Sequence, residues 1–180
     1  MSKSMFQSDY YRMTGTAYKF GVKSMIQMLA SHQIRYMYWW RKAKRKMNLF
    51  YKVILYRHSR KYGLEISSTA KTGEGLYLGH PYNITVGGDV VLGKNVNLHK
   101  GCTIGRENRG KRAGVPTIGN NVSVGINSTI VGNIIIGDDV MIAPNCFINF
   151  DVPSHSVVIG NPAVVHSKDN ATYGYVNFCI

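Results

Sequence analysis

Apolar side chains recur every six residues through the middle of the chain, at Ile66, Leu78, Val86, Leu92, Leu98, Ile104, Ile118, Val124, Ile130, Ile136, Ile142 and Ile148. Thr72 fills the one slot where the aliphatic residue is missing. Glycine follows the lead residue in eight of the thirteen units, and a small or apolar residue such as Ala70, Val96, Cys102 or Cys146 often lies four positions on. Side chains alternate across a strand, so an even period keeps every lead residue on one face. A helix of 3.6 residues per turn would rotate them away. One hexad is too short to bury its own apolar face, whereas stacked hexads bury a continuous core. The pattern predicts a parallel β-helix, a solenoid of short strands with tight, glycine-bearing corners.

The beat breaks twice. Leu78 and Val86 are eight residues apart, and Ile104 and Ile118 are fourteen apart. The first break inserts two residues around His80, and the second predicts a protruding loop over 106–117. Insertions in a solenoid fall at corners and are often found on the working face.

Residues 1–62 lack the beat and read as helical. Residues 17–30 carry Phe20, Val22, Met25, Ile26, Met28 and Leu29, and residues 36–40 are aromatic. A basic run follows, with Arg41, Lys42, Lys44, Arg45 and Lys46, and then a mixed stretch over 49–62. The chain therefore divides into a basic α-helical segment (1–62), a β-helix (63–165) and a C-terminal tail (166–180).

Charge follows this division. Residues 1–62 hold 14 Lys and Arg against the single acid Asp9, a net +13, while residues 63–180 hold 8 against 8 and sum to zero. The β-helix has none of the cationic surplus that a nucleic-acid partner demands. No apolar run approaches the roughly 20 residues of a bilayer span, and no signal-peptide pattern is visible, so a cytoplasmic location is expected. Residues 1–62 could contact an anionic membrane surface or pack on neighbouring subunits. Cys102 and Cys146 occupy small packing positions, Cys179 lies outside the repeat, and with no Cys-x-x-Cys pair all three read as structural.

Of the histidines, His32 and His58 read as surface residues of the helical segment, His155 as a turn cap after Pro153, and His166 lies beyond the repeat. Two interrupt the pattern. His80 sits in Leu78-Gly79-His80-Pro81, inside the first break, and His99 follows a lead residue where a small residue is usual. A neutral imidazole can take the proton of a hydroxyl, and a carboxylate on its other nitrogen fixes the tautomer. Glu65 stands fifteen residues before His80.

Residues 63–80, the run Asn97-Leu98-His99-Lys100-Gly101-Cys102-Thr103-Ile104-Gly105, and the closing Val152-Pro153-Ser154-His155 with Gly160-Asn161-Pro162-Ala163 resemble serine acetyltransferases, within the hexapeptide-repeat acyltransferase family. The resemblance covers about residues 63–165. It looks closest to the short, serine acetyltransferase-like enzymes that O-acetylate sugars during capsular or exopolysaccharide synthesis. It implies a left-handed parallel β-helix, with His80 as general base and Glu65 as the acid that orients it. It implies acetyl-CoA as donor, no metal, and a homotrimer with CoA in a groove between subunits. The matching cofactor positions are Gly125, Ile126, Ala143 and Pro144, and Lys168 is the nearest cation for the CoA phosphates. His99, Arg106, Arg109 and Arg112 are the candidates for holding the acceptor.

Two departures bear on that acceptor. The family's acid immediately before the catalytic histidine is Gly79 here, and the Arg-His pair before the loop proline is Gly114 and Val115 before Pro116. A bidentate arginine is the natural clamp for a carboxylate, and glycine cannot replace it. A neutral sugar hydroxyl is therefore the expected acceptor, with serine as the alternative and a non-catalytic scaffold as the third reading. A zinc enzyme on this fold would ask for a His-x4-His pair, which the chain lacks.

Overall fold

The computed structural model describes residues 4–45 and 48–180, so Lys46 of the basic run lies outside it. Four helices come first: α1 (Met5–Thr14), α2 (Val22–Ala30), α3 (His32–Arg45) and α4 (Leu49–Tyr62). The first lies within the segment read as helical but ahead of its apolar stretches. Its start is written instead in a capping box: Ser4 Oγ accepts from Gln7 N at 3.3 Å, and Gln7 Oε1 accepts from Ser4 N at 2.9 Å. Among the described residues no helix is long and apolar enough to cross a membrane.

The hexads then wind into a solenoid of three sheets. The first coil holds β1 (Glu65–Ile66), β2 (Lys71–Thr72) and β3 (Tyr77–Gly79). The second holds β4 (Thr85–Val86), β5 (Val91–Leu92) and β6 (Asn97–His99), and the third β7 (Thr103–Gly105), β8 (Thr117–Ile118) and β9 (Ser123–Val124). The fourth holds β10 (Thr129–Val131), β11 (Ile135–Ile136) and β12 (Val140–Ile142). The last holds β13 (Phe147–Ile148) and β14 (Ser156–Ile159), with Val152 bridging to Ile136 between them. Strands three apart pair in parallel, giving a first sheet β1-β4-β7-β10-β13, a second β2-β5-β8-β11, and a third β3-β6-β9-β12-β14. β15 (Val164–Ser167) closes the third sheet antiparallel to β14, running two residues past the boundary expected at 165. Every lead residue from Ile66 to Ile148 points into the shaft and is at most 9% exposed.

Three edges join the sheets, and residues with positive φ recur on them. Gly75, Asn95, Asn121, Asp139 and His155 turn the chain from the second sheet into the third, and His80, Gly101, Asn127 and Asn145 lie where it leaves the third. Glycine and short polar side chains tolerate this left-handed conformation best.

The helices are not a separate body. They plug the open end of the first coil, whose outward backbone groups have no preceding coil to bond. Ile66 N–H donates to Tyr36 Oη at 3.1 Å, and Ile66 C=O accepts from Trp40 Nε1 at 2.9 Å. Arg41 donates to Gly73 C=O, Arg12 to Gly75 C=O, and Lys44 to Ala70 C=O. Thr72 breaks the aliphatic row because its Oγ1 accepts from Arg41 Nη1 at 2.7 Å. Arg41 in turn pairs with Asp9 at 2.7 Å, and Asp9 Oδ1 accepts from Leu76 N. Burial drives the Asp9 carboxyl up, against the pull of Arg41. Solenoid ends need such capping to satisfy exposed edges.

Candidate active site

The edge between the third sheet and the next coil's first sheet gathers most of the residues singled out by the sequence. His80 follows β3, His99 ends β6, Gly125 and Ile126 follow β9, and Ala143 and Pro144 follow β12. Backbone bonds stack these corners: Lys100 N donates to Gly79 C=O, Asn127 N to Lys100 C=O, and Asn145 N to Ile126 C=O. Gly125 lies so close over the Ala143–Pro144 peptide that an added Cβ would come within 2.7 Å of Pro144 N. Ile126 is 39% exposed and forms part of the outer wall.

His80 is exposed, with φ at 46°, in the two-residue insertion that the sequence marked. Its ring makes no hydrogen bond among the described residues. His99 lies directly beneath Gly79 in the parallel register of β3 and β6. A Cβ on Gly79 would lie 2.7 Å from His99 Cε1 and nearer still to Nδ1. The His99 ring therefore occupies the space a side chain at position 79 would need. Burial, and then the neighbouring His80, hold the His99 pKa below its ordinary value, so the ring is neutral near pH 7. His99 also faces a cavity of about 190 Å³ shared with Arg12, Tyr77, Asn97, Tyr175 and Phe178. The Arg12 guanidinium donates from Nε to Gly75 C=O and from Nη2 to Asn95 C=O and Asn97 Oδ1.

Three sets of expected residues stand elsewhere. Glu65 Oε1 accepts from Ser59 Oγ at 2.8 Å, so within one chain it does not hydrogen-bond His80. Arg106, Arg109 and Arg112 lie on the predicted loop, which leaves between β7 and β8, at the edge joining the first and second sheets. That loop is a small hairpin bridged at Glu107 and Gly114, laid along the edge by Asn133 N donating to Arg112 C=O and by Arg112 near Asp151 at 3.7 Å. One face of the solenoid, at most about 20 Å for six extended residues, separates it from His80. Lys168 follows β15 with its N–H on His155 C=O, at the opposite end of the third sheet from Ala143 and Pro144. The antiparallel turn of β15, invisible to the hexad pattern, carries it there.

Two further readings change. His32 and His58 are half-buried rather than surface residues. His32 stacks on Tyr62 at 4.3 Å, and its Nε2 lies 3.3 Å from Pro81 C=O, one residue after His80. His58 Nδ1 bonds Ile54 C=O at 2.9 Å. The buried thiols fit their structural reading, with burial pushing Cys102 up to about 12. Among the described residues no three or more His, Cys, Asp or Glu side chains gather as a metal site.

Residues 116–149 match the family profile described as bacterial transferase hexapeptide (six repeats). The chain is 36% identical over 107 residues to a serine acetyltransferase of Helicobacter pylori, covering 59% of this chain and 63% of that one. It is 41% identical over 109 residues to serine acetyltransferase 2 of Arabidopsis thaliana, covering 33% of that protein. The chain thus spans less than two thirds of these relatives. The serine acetyltransferase of Neisseria gonorrhoeae, solved in complex with serine, superposes with a TM-score of 0.71 at 28% identity, over 91% of this chain and 68% of that one. The likeness includes the left-handed β-helix expected from the sequence. The expected closeness to enzymes of capsular and exopolysaccharide assembly finds no support in these comparisons. The chain carries the hexapeptide repeat of bacterial transferases, and it is similar in sequence and in structure to serine acetyltransferases.

Proposed function

We propose that this chain is an O-acetyltransferase that uses acetyl-CoA as donor, with His80 as general base and serine as the acceptor that its relatives favour. The observation that carries the reading is the single edge on which an exposed, unengaged imidazole stands above the small-residue corners of Gly125 and Ala143. His80 takes the proton of the acceptor hydroxyl as its oxygen attacks the thioester carbon. The tetrahedral intermediate collapses, the carbon–sulfur bond breaks, and the imidazolium returns the proton to the departing CoA thiolate. General-base help of this kind contributes about 10²–10⁴-fold. Glu65 is assigned to orient His80, in a contact that forms when substrate closes the site, since catalytic hydrogen bonds are often incomplete without substrate.

A second reading, a neutral hydroxyl such as that of a sugar, has its own support. The loop presents Gly114 and Val115 where the family's Arg-His pair stands, the acid before the base is Gly79, and Arg12 already gives Nε to Gly75 C=O and Nη2 to Asn97 Oδ1. Neither charge of a zwitterion then has a ready partner within one chain. We propose a homotrimer, in which the arginine loop of one protomer reaches the His80 edge of the next. Release of CoA thiol from acetyl-CoA, measured with L-serine and with a neutral methyl glycoside, tests both readings. Turnover with serine alone establishes the first and turnover with the glycoside alone the second. Turnover with neither, at no more than the rate of the His80→Ala protein, would sink the catalytic assignment. A monomer by light scattering would remove the trimer.

A further inference from the structure

Helices α1 and α3 plug the solenoid, whereas α2 and α4 bury almost nothing. Among residues 22–30 only Ser24 is buried, and α4 has no buried residue at all. On α2, Val22, Met25, Ile26 and Leu29 follow the i, i+3, i+4, i+7 spacing of one helix face, and all are exposed, Leu29 by 75%. Phe20, just before the helix, is 87% exposed. On α4, Leu49, Val53 and Tyr56 follow an i, i+4, i+7 spacing with Phe50 beside them, and all are exposed, Leu49 by 76%. Single exposed apolar residues are ordinary, but two amphipathic helices presenting whole apolar faces mark a contact surface.

Charge decides what covers it. Lys19, Lys23, Lys52, Arg57, Arg60 and Lys61 stand exposed on or beside these two helices. The only acid in residues 1–62 is Asp9, which is fully buried and paired with Arg41. The outer surface of the segment therefore carries no carboxylate. The same face of a second copy would bring cations against cations, whereas an anionic bilayer offers opposite charge to the rim and acyl chains to the apolar faces.

We infer that α2 and α4 dock this protein on anionic membrane surfaces, with Phe20, Ile26, Leu29, Phe50 and Val53 entering the headgroup boundary and the surrounding lysines and arginines facing lipid phosphates. The site stands close by. His32, two residues beyond α2, touches the Pro81 carbonyl beside His80. Docking would thus hold the His80 edge near the bilayer, and this conclusion does not depend on which acceptor the site uses.

Flotation of the full chain with vesicles of phosphatidylcholine alone, and of equimolar phosphatidylcholine and phosphatidylglycerol, tests the inference. The protein is expected to float only with the phosphatidylglycerol vesicles. Raising the salt to about 1 M, where the Debye length falls to about 3 Å, should release it. Ile26→Ser with Leu29→Ser, and separately Phe50→Ser with Val53→Ser, should each cut vesicle partitioning by about tenfold or more. Their circular dichroism and thermal midpoints should stay unchanged, because these side chains are exposed. Lys23→Gln with Lys52→Gln and Arg57→Gln should weaken binding without touching the apolar faces. Equal recovery in the soluble fraction with and without phosphatidylglycerol overturns the inference. So does serine-variant protein that still floats but shows a lower mass in light scattering, since the faces would then cover a second copy.

Discussion

His80 and His155 stand on two edges of one solenoid in the same left-handed conformation, with φ at 46° and 56°, yet their surroundings differ. His155 Nδ1 lies 2.9 Å from Asp139 Oδ2. Asp139 also accepts from Ala171 N and Thr172 N at 3.0 Å and from Thr172 Oγ1 at 2.7 Å, clamping the C-terminal tail to the shaft. His80 has no such neighbours and looks outward beside a second, neutral imidazole. An imidazole whose Nδ1 is held by a carboxylate holds structure, whereas one left open can meet a substrate. Backbone position did not separate these two histidines; the availability of a carboxylate did.

The largest expected effect breaks the comparison outright. His80→Ala should lower kcat/KM for acetyl transfer by about 10²–10⁴-fold, while His155→Ala should leave it within about threefold. Equal losses in the two would erase the distinction. Glu65→Gln should cost less than His80→Ala. Next comes stability on the other edge. Asp139→Ala removes the acceptor of four hydrogen bonds and should destabilise the chain by about 2–4 kcal/mol in urea denaturation, with activity per folded molecule unchanged. Gly79→Ala should press on the His99 ring, costing about 1–3 kcal/mol and slowing transfer, because the parallel register sets that ring directly against position 79.

Acid titration sharpens the contrast further. Burial tends to raise the Asp139 pKa, but hydrogen bonds from Thr172, His155 and Ala171 outweigh it and hold the carboxyl below its usual value. A depressed carboxylate stabilises the fold above its unfolded value of about 3.9, and that contribution fades as pH falls through the lower folded value. Asp139→Asn should abolish this strongly acidic loss. His99 acts higher on the scale. Its depressed pKa lets the unfolded chain bind a proton first, so stability should fall as pH drops through about 6.5, and His99→Gln should flatten that slope. The smallest effect belongs to the loop: Arg112→Ala breaks a solvent-exposed 3.7 Å contact with Asp151 and should shift stability by no more than about 0.5 kcal/mol.

Much of the shaft was legible before any coordinates, because strand alternation is local and thirteen hexads repeat the same instruction. The register break around His80 and the insertion after Ile104 were legible for the same reason: a strict period makes its interruptions visible. The lone acid among 14 cations of the helical segment is visible in the composition, but its burial against Arg41 is not. Nothing in the spacing showed that α1, α3 and their arginines plug the first coil. That role depends on bonds such as Trp40 to Ile66 and Arg41 to Gly73, which join residues about thirty positions apart.

The linear pattern alone determined the parallel β-helix, its inward aliphatic row, its insertion points and the uneven division of charge, because each of these is set by side-chain alternation or by counting. Only the tertiary structure decided that His99 fills the space beside Gly79, that Glu65 bonds Ser59, that Lys168 and the loop arginines lie off the His80 edge, and that the apolar faces of α2 and α4 stay uncovered. The physical reason is that these are facts of stacking between coils and helices, where neighbours are chosen by register and by available space rather than by distance along the chain.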